Sequence, residues 1–544
     1  MFFFLISLEV SAQSTLHKYF IGFTDKNGSS YSTSNPSAFL SNRAIERRAM
    51  QNIPVISQDF PVNTNYIDSV LSKGAILFAR NKWFNGITVA CDSSTLSEIL
   101  LLPFVKSTQK VFKYSSTNSE KNGTNVIPIS TPSMLKSEWN DYGNSFNQIH
   151  LMNGEFLHQA GNRGEGMLMA IIDDGFRSVD QLNIFQHLRE QNHIVATWDF
   201  VSNDAFVYED DIHGMEVLST IAGYEPGKLI GTAPNASFLL LRSEDVNTEN
   251  IIEEYNWDAA AEFADSAGAD VISSSLGYTT FNDTSLSHSY SDMDGNHCPS
   301  SIAADIAVSK GILVLTSAGN EGNKAWHYIS APSDGDSVLC IGGVDSNGNH
   351  AFFSSYGPAS DGAVKPNVVA KAFQATFVNE LDEVTTGNGT SFACPILAGS
   401  ATCLWQRYPM NTVMEVKNAI EKSASIYNMP NNALGYGIPD FRIAAYLLSQ
   451  ENLNITFENN ILGVYPSPFI DEIHVRFYSS VLEDITVEVF NSLGQLVYTS
   501  VATVKGGFIN TIDINFDNNN KCGIYFLKIT GGSQRYEKVV LKMQ

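Results

Sequence analysis

Cysteine is scarce in this sequence, and what there is lies scattered. Six cysteines (Cys91, Cys298, Cys340, Cys394, Cys403 and Cys522) are spread over 544 residues without a CxxC pair. That spacing excludes a zinc ribbon and a disulfide-dense scaffold. Long hydrophobic runs are also missing: no apolar stretch reaches the ~20 residues of a bilayer-spanning helix. Basic residues are outnumbered, with 33 Lys and Arg against 57 Asp and Glu and a formal net charge of −24. Such a chain repels phosphate, which excludes general nucleic-acid binding, and it suits a soluble protein working outside the cytoplasm. Apolar residues are plentiful, at 43% hydrophobic and 11% aromatic. A chain of this composition folds around cores and is not mainly disordered, and its length exceeds one ordinary domain.

Five regions are legible. Phe2-Phe3-Phe4-Leu5-Ile6 leads to Val10-Ser11-Ala12-Gln13, an apolar core with small residues before a cleavage point. The expectation is a signal peptide over 1–12; the usual basic start is missing, so it reads as truncated. Residues 19–114 offer a strand at 18–23, a helical pattern at 36–50, and strands at 75–78 and 83–90 around an Arg80-Asn81-Lys82 turn. A helix at 96–102 and a strand at 105–111 complete a β-α-β-β-α-β order, the ferredoxin-like α+β arrangement. Residues 115–136 are rich in Ser, Asn and Thr and read as a linker.

Residues 137–450 alternate short buried-strand runs (167–172, 237–241, 271–275, 312–316) with helical stretches (251–267, 300–310). Strands apolar on both faces with helical crossovers mean a parallel α/β sheet. Residues 461–544 switch to period-two alternation at 473–477, 485–490, 511–516, 524–529 and 538–541. This reads as a small all-β sandwich.

Three motifs in the α/β block place reactive groups at element ends. Ile171-Ile172-Asp173-Asp174-Gly175 ends a strand on a carboxylate. Asp211-Ile212-His213-Gly214-Met215 sets an imidazole just before a helix. Gly387-Asn388-Gly389-Thr390-Ser391-Phe392-Ala393-Cys394-Pro395 carries a hydroxyl into a helix. A serine needs a base, and a histidine needs a carboxylate to fix its tautomer. Acyl transfer also needs donors for the developing oxyanion. Asn320 in Ser317-Ala318-Gly319-Asn320-Glu321-Gly322 offers one, and the Ser391 backbone N–H offers a second.

The order Asp173, His213, Asn320, Ser391 and the wording around each resemble the subtilisin-like serine proteases over residues 142–448. Gly231-Thr232-Ala233-Pro234 and Ser275-Leu276-Gly277 belong to the same resemblance. It implies catalytic Asp173, His213 and Ser391, an oxyanion donor in Asn320, and peptide pairing along Ser274, Ser275, Leu276 and Gly277 and along Ser317, Ala318 and Gly319. Asp174 stands where Ser or Thr is usual, and Met215 where Thr is usual. The first block then resembles the family's inhibitory propeptide. Tyr465-Pro466-Ser467-Pro468-Phe469, Asn491-Ser492-Leu493-Gly494-Gln495 and Gly523-Ile524-Tyr525-Phe526 resemble the sorting domain of type IX secretion cargo.

The resemblance implies a secreted serine endopeptidase made as a zymogen, exported from or displayed on a Gram-negative cell. Its partners would be protein or peptide substrates, its own propeptide and outer-membrane secretion machinery. No cofactor is implied for the chemistry; structural calcium is allowed, at sites the sequence does not place. A catalytically silent binding or adhesion protein is the rival class, and an esterase or amidase on the same triad a second.

Other patterns carry less. Gly164-Glu165-Gly166 precedes its strand, whereas a dinucleotide loop follows one. Ser391 is not in Gly-x-Ser-x-Gly, and the order is not Ser–Asp–His, which disfavours an α/β-hydrolase. Asp292-Met293-Asp294-Gly295-Asn296 lacks the sixth-position glycine and the terminal glutamate of a calcium loop and reads as a turn. Cys394 and Cys403 read as buried packing residues, and Asn388-Gly389-Thr390 is a glycosylation sequon beside the serine.

Overall fold

The structure is a computed structural model that describes residues 16–112, 140–449, 461–465, 469–479, 483–504, 508–516, 521–531 and 534–543. The expected signal peptide and linker lie outside the described residues. The chain falls into two compact units, residues 1–448 and 449–544.

The first unit opens with β1 (His17–Phe23), α1 (Asn42–Met50), α2 (Thr64–Leu71), β2 (Ile76–Asn81), β3 (Gly86–Cys91), α3 (Ser93–Ile99) and β4 (Val105–Lys110). The four strands form an antiparallel sheet in the order β2-β3-β1-β4. The expected ferredoxin-like arrangement is present, with two corrections. The helix between β1 and β2 that packs on this sheet is α2, whose Ile67 and Val70 join Tyr19, Ile21, Phe23 and Ile99 of α3 in one core. The patterned stretch 36–50 becomes a short 3₁₀ turn and then α1, capped by Ser41 accepting from Ala44 N–H. The hairpin turn also falls later, at residues 82–85, with Asn85 in the left-handed region (φ 50°).

The rest of this unit runs α4 (Phe146–His150), α5 (Glu155–Gln159), β5 (Leu168–Asp173), α6 (Gln186–Glu190), β6 (Ile194–Asp199), α7 (His213–Ala222), β7 (Tyr224–Glu225), β8 (Leu229–Ile230) and β9 (Ser237–Arg242). It continues through α8 (Ile252–Ala267), β10 (Val271–Ser274), α9 (Pro299–Ser309), β11 (Leu313–Ser317), β12 (Leu339–Val344) and β13 (Val368–Lys371). The hairpin β14 (Ala375–Val378) and β15 (Val384–Gly387) leads into α10 (Thr390–Arg407), α11 (Val413–Lys422) and α12 (Phe441–Leu448).

Seven strands pair in parallel in the order β13-β12-β11-β10-β5-β9-β6. β5, β10, β11 and β12 are buried along their whole length, which is why their sequences run apolar without alternation. Chain order reverses around β5, and in such sheets the crevice lies at the carboxyl ends of the strands near the reversal. Helix α10 is buried from Thr390 to Trp405, and each fully buried Leu, Ile or Phe there contributes ~1.5–3 kcal/mol.

The N-terminal block docks on α8. Asp265, fully buried, receives Arg47 (2.6 Å) and Arg48 (2.8 Å) from α1 and Lys82 (3.2 Å) from the turn after β2. Burial pushes this carboxyl up, but the Lys82, Arg47 and Arg48 charges outweigh it and hold it down at about 2. Asn81 Nδ2 donates to Asp258 Oδ2 (2.8 Å), the Trp83 amide donates to Glu262 Oε1 (2.7 Å), and Phe20 stacks on Tyr255 at 4.4 Å.

The second unit holds β16 (Ile461–Tyr465), β17 (Glu472–Ser479), β18 (Glu483–Asn491), β19 (Leu496–Val504), β20 (Phe508–Asn515), β21 (Gly523–Gly531) and β22 (Gln534–Lys542). They form sheets ordered β16-β17-β20 and β19-β18-β21-β22 around a core of its own, including Phe469, Val475, Val487, Ile514 and Leu527. This is the expected small all-β fold, with β16 and β19 beyond the five strands anticipated. No helix among the described residues is long and apolar enough to cross a membrane.

Candidate active site

Asp173 is the last residue of β5 and is fully buried. His213 is the first residue of α7, so the helix begins three residues before Glu216, where the sequence pattern starts it. Gly214 permits the approach between them: a Cβ there would stand 2.3 Å from the Gly175 carbonyl and 3.0 Å from Asp173 Cβ. The result is a 2.7 Å contact between His213 Nδ1 and Asp173 Oδ1. The same carboxylate oxygen accepts the Asp174 amide at 3.0 Å, whereas buried Oδ2 has no hydrogen-bond partner among the described residues. Burial disfavours the imidazolium, but the Asp173 charge and hydrogen bond outweigh it and raise His213 above its ordinary value. A carboxylate on Nδ1 fixes the tautomer and leaves Nε2 as the basic nitrogen. Asp174 is pushed well up, first by burial and then by the Asp173 charge; its carbonyl accepts from Arg242 Nε at 2.9 Å.

Ser391 lies in the first turn of α10 and is 6% exposed. First-turn amides have no acceptor inside their helix and carry the positive end of its dipole. Pro395 has no N–H for the carbonyl four residues back, which is that of Ser391. Ser275 Oγ donates to this carbonyl instead, at 2.9 Å. The loop before the serine must be glycine, since a Cβ on Gly389 would lie 2.6 Å from Ser391 Oγ. His213 faces the same helix start, its ring 6.4 Å from that of Phe392.

Asn320 is exposed and turned by Thr390: its Oδ1 accepts from Thr390 N (3.0 Å) and Thr390 Oγ1 (3.1 Å). Thr390 Oγ1 in turn accepts the Gly319 amide at 3.2 Å. The oxygen end of the amide is thus committed to the start of α10, which leaves its NH₂ end for an acceptor in the cleft. The Thr390–Asn320 and Ser275–Ser391 links are features of the site that motif reading did not single out. Pro395, at the spacing that strips Ser391 of its helical partner, was the available signal for the second.

The two segments expected to pair with a peptide divide by exposure. Ser274 pairs with both Ile172 and Thr316, and its Oγ accepts from Trp257 Nε1 at 2.9 Å. The Ser317 carbonyl accepts from Ser333 Oγ at 2.6 Å, and the Ala318 amide donates to the Ile341 carbonyl at 3.0 Å. Ser275 and Leu276 are nearly covered, and backbone emerges at Gly277 (exposed) and Gly319 (half-buried). Gly319 sits at φ +104°, and a Cβ on it would lie 2.9 Å from Ser355 Oγ.

The turn at 292–296 is held internally, with Asp294 Oδ1 accepting the Asn296 amide at 2.9 Å. Cys394 and Cys403 are buried free thiols, as expected.

A model of the subtilase family matches residues 164–437, half of the chain. Subtilisin from Bacillus pumilus is 30% identical over 275 residues, covering 49% of this chain and 87% of that protein. Subtilisin DY from Bacillus licheniformis is 29% identical over 282 residues, covering 51% and 90%. The chain belongs to the subtilase family. It is a serine endopeptidase by that membership. Residues 18–126 of this subtilase match the Bacteroidota peptidase S8 propeptide domain, and residues 463–542 match a secretion system C-terminal sorting domain. Among solved structures, MycP1 from Mycobacterium smegmatis aligns with 60% of the chain and 89% of its own, at 21% identity and a TM-score of 0.44. Subtilases generally need no cofactor for catalysis and often carry structural calcium. Glu244, Glu249 and Glu253 form a group of the all-oxygen donors that calcium takes.

Proposed function

We propose that this subtilase is exported as a zymogen and cleaves peptide bonds through Asp173, His213 and Ser391. Ser391 Oγ attacks the scissile carbonyl while His213 Nε2 takes its proton. His213 then returns that proton to the leaving amine, and a water repeats the sequence on the acyl-enzyme. Asp173 keeps the Nδ1 proton in place and favours the imidazolium as it forms. Asn320 Nδ2 and the Ser391 amide bind the oxyanion, where fixed donors act without reorganisation. The substrate backbone lies between the edges at 275–277 and 317–319, by strand addition.

The observation carrying this reading is the 2.7 Å Asp173–His213 pair facing the start of α10, where Ser391 and the Asn320 amide meet. Residues 19–114 act as the inhibitor, the cut falls between Tyr114 and Trp139, and residues 461–544 address the chain to an outer-membrane type IX machinery that releases or anchors it. A fluorophosphonate probe tests the chemistry: it labels the processed protein at Ser391, and the Ser391→Ala protein stays unlabelled. Labelling of both at another serine would refute the assignment.

A further inference from the structure

Three side chains that the proposed peptide chemistry does not use meet at one point. Glu254 lies in the first turn of α8, His288 in the excursion between β10 and α9, and Cys298 immediately before α9. A carboxylate oxygen, an imidazole nitrogen and a thiol sulfur from these three all lie within 4.8 Å of one another. The cluster is closed to solvent: the His288 side chain is 9% exposed, and those of Glu254 and Cys298 are buried.

The carboxylate is held as a metal-ligating carboxylate is held. Glu254 Oε2 accepts from Ser300 N (3.0 Å) and Ser300 Oγ (2.7 Å), which turns Oε1 towards His288 Nε2 at 2.6 Å. Outer hydrogen bonds of this kind orient ligands. The imidazole is placed too, through its own amide on the Thr279 carbonyl (2.7 Å) and an edge contact of its ring with Phe281 at 5.3 Å. The sulfur makes a loose 3.6 Å contact with the Asp292 carbonyl. Burial first, and then the charges of Glu254, Asp334, Asp292 and Asp294, push its thiol up. Those carboxylates make the surroundings of the cluster attractive to a cation. A His–Glu ion pair alone accounts for two corners and gives the thiol no part.

We propose that Glu254 Oε1, His288 Nε2 and Cys298 Sγ bind one divalent transition-metal ion of the zinc type. One sulfur, one nitrogen and one oxygen donor match Zn²⁺, with water as the fourth ligand. A thiolate does not suit Ca²⁺ or Mg²⁺, which take oxygen. Two zinc ligands with bonds of about 2.0 Å stand about 3.3 Å apart. Metal entry therefore replaces the direct His288–Glu254 hydrogen bond and shifts the imidazole outward by less than about 1 Å. The ion ties the excursion that follows the Gly277 edge to α8, the helix on which the N-terminal block is docked.

The test uses the full chain carrying Ser391→Ala, stripped with a chelator, equilibrated with ZnCl₂ and gel-filtered before metal analysis. About one zinc per chain is expected to remain. Adding Cys298→Ser or His288→Ala is expected to lower retained zinc at least tenfold, and adding His213→Ala to leave it unchanged. CoCl₂ on the same chain reads the sulfur directly, without relying on a variant: a thiolate-to-cobalt charge-transfer band appears in the near ultraviolet. No retained zinc, retention that depends on His213 and not on Cys298, or cobalt bound without that band would each overturn the proposal.

Discussion

The two ends of the Asn320 amide have one observed and one proposed role, and the two can be separated by substitution. Its oxygen anchors Thr390 N and Oγ1, while its nitrogen is assigned to the oxyanion. Asn320→Asp keeps an acceptor for Thr390 and deletes the donor. It is expected to lower kcat by ~10²–10³ with the melting temperature little changed, the loss that removing one oxyanion donor causes in subtilisin itself. Steady-state kinetics beside a thermal melt checks this, and undiminished turnover refutes the oxyanion role. Ser275 makes a second residue-scale case. Ser275→Ala leaves the Ser391 carbonyl buried and unpaired, at a cost of ~1–3 kcal/mol. Denaturant unfolding of the processed enzyme reads that loss, and an unchanged midpoint would show that the 2.9 Å bond is not holding the helix start.

At the scale of elements, α8 is where the N-terminal block is gripped, and one buried pair makes that grip sensitive to pH. Asp258 and Glu262, one turn apart, are covered by Asn81, Lys82 and Trp83. Burial pushes Glu262 up to about 7, although Lys82 and the Trp83 and Lys82 amides pull it down; Asp258 is raised well up by burial and then by Glu262. Arg47, Arg48 and Asp265 lie beside them, and Lys26, Asp59 and Lys310 add further charge to the same network. A carboxyl raised in the complex favours the docked state below its ordinary value of 4.5, and that advantage is lost as pH rises through about 7. The cleaved N-terminal block is therefore expected to stay bound at pH 5 and to dissociate progressively towards pH 8, with Glu262→Gln flattening the change. Gel filtration of the cleaved complex across that range checks it; tighter retention at pH 8 would reverse the sign.

The same elements show what was legible in sequence. β5, β9, β10, β11, α8 and α9 were readable within a residue or so, because apolar runs and helical periods are local signals. Residues 80–82 read as a turn because Arg-Asn-Lys is polar. Asn81 instead ends β2 and Lys82 is buried, since α8 supplies their partners. α2 spans only eight residues, too short a period to announce itself, and β19 alternates between exposed and merely half-buried residues rather than between exposed and core ones. In the site, Asp173, His213, Asn320 and Ser391 stood out through the residues beside them. The Ser275–Ser391 and Thr390–Asn320 bonds join segments far apart in sequence; Pro395 is a local sign of the first, and the second has none.

On the scale of the whole molecule, the two units have separate cores. Deleting residues 449–544 is expected to leave kcat/KM of the purified processed enzyme within about twofold, because no group assigned to the chemistry lies there. In the producing cell the truncated protein is expected to stay in the periplasm; fractionation checks this, and normal release would remove the sorting role.

The central claim is that Ser391 makes this chain a self-processing protease. The most direct test follows the purified protein beginning at Gln13 beside its Ser391→Ala twin, by gel mobility and N-terminal sequencing over time. Loss of the first block through a cut between Tyr114 and Trp139 in the parent, with the twin intact, is the predicted result; loss of the catalytic serine lowers turnover by ~10⁶ in subtilisin. A twin that processes at the parent's rate would contradict it.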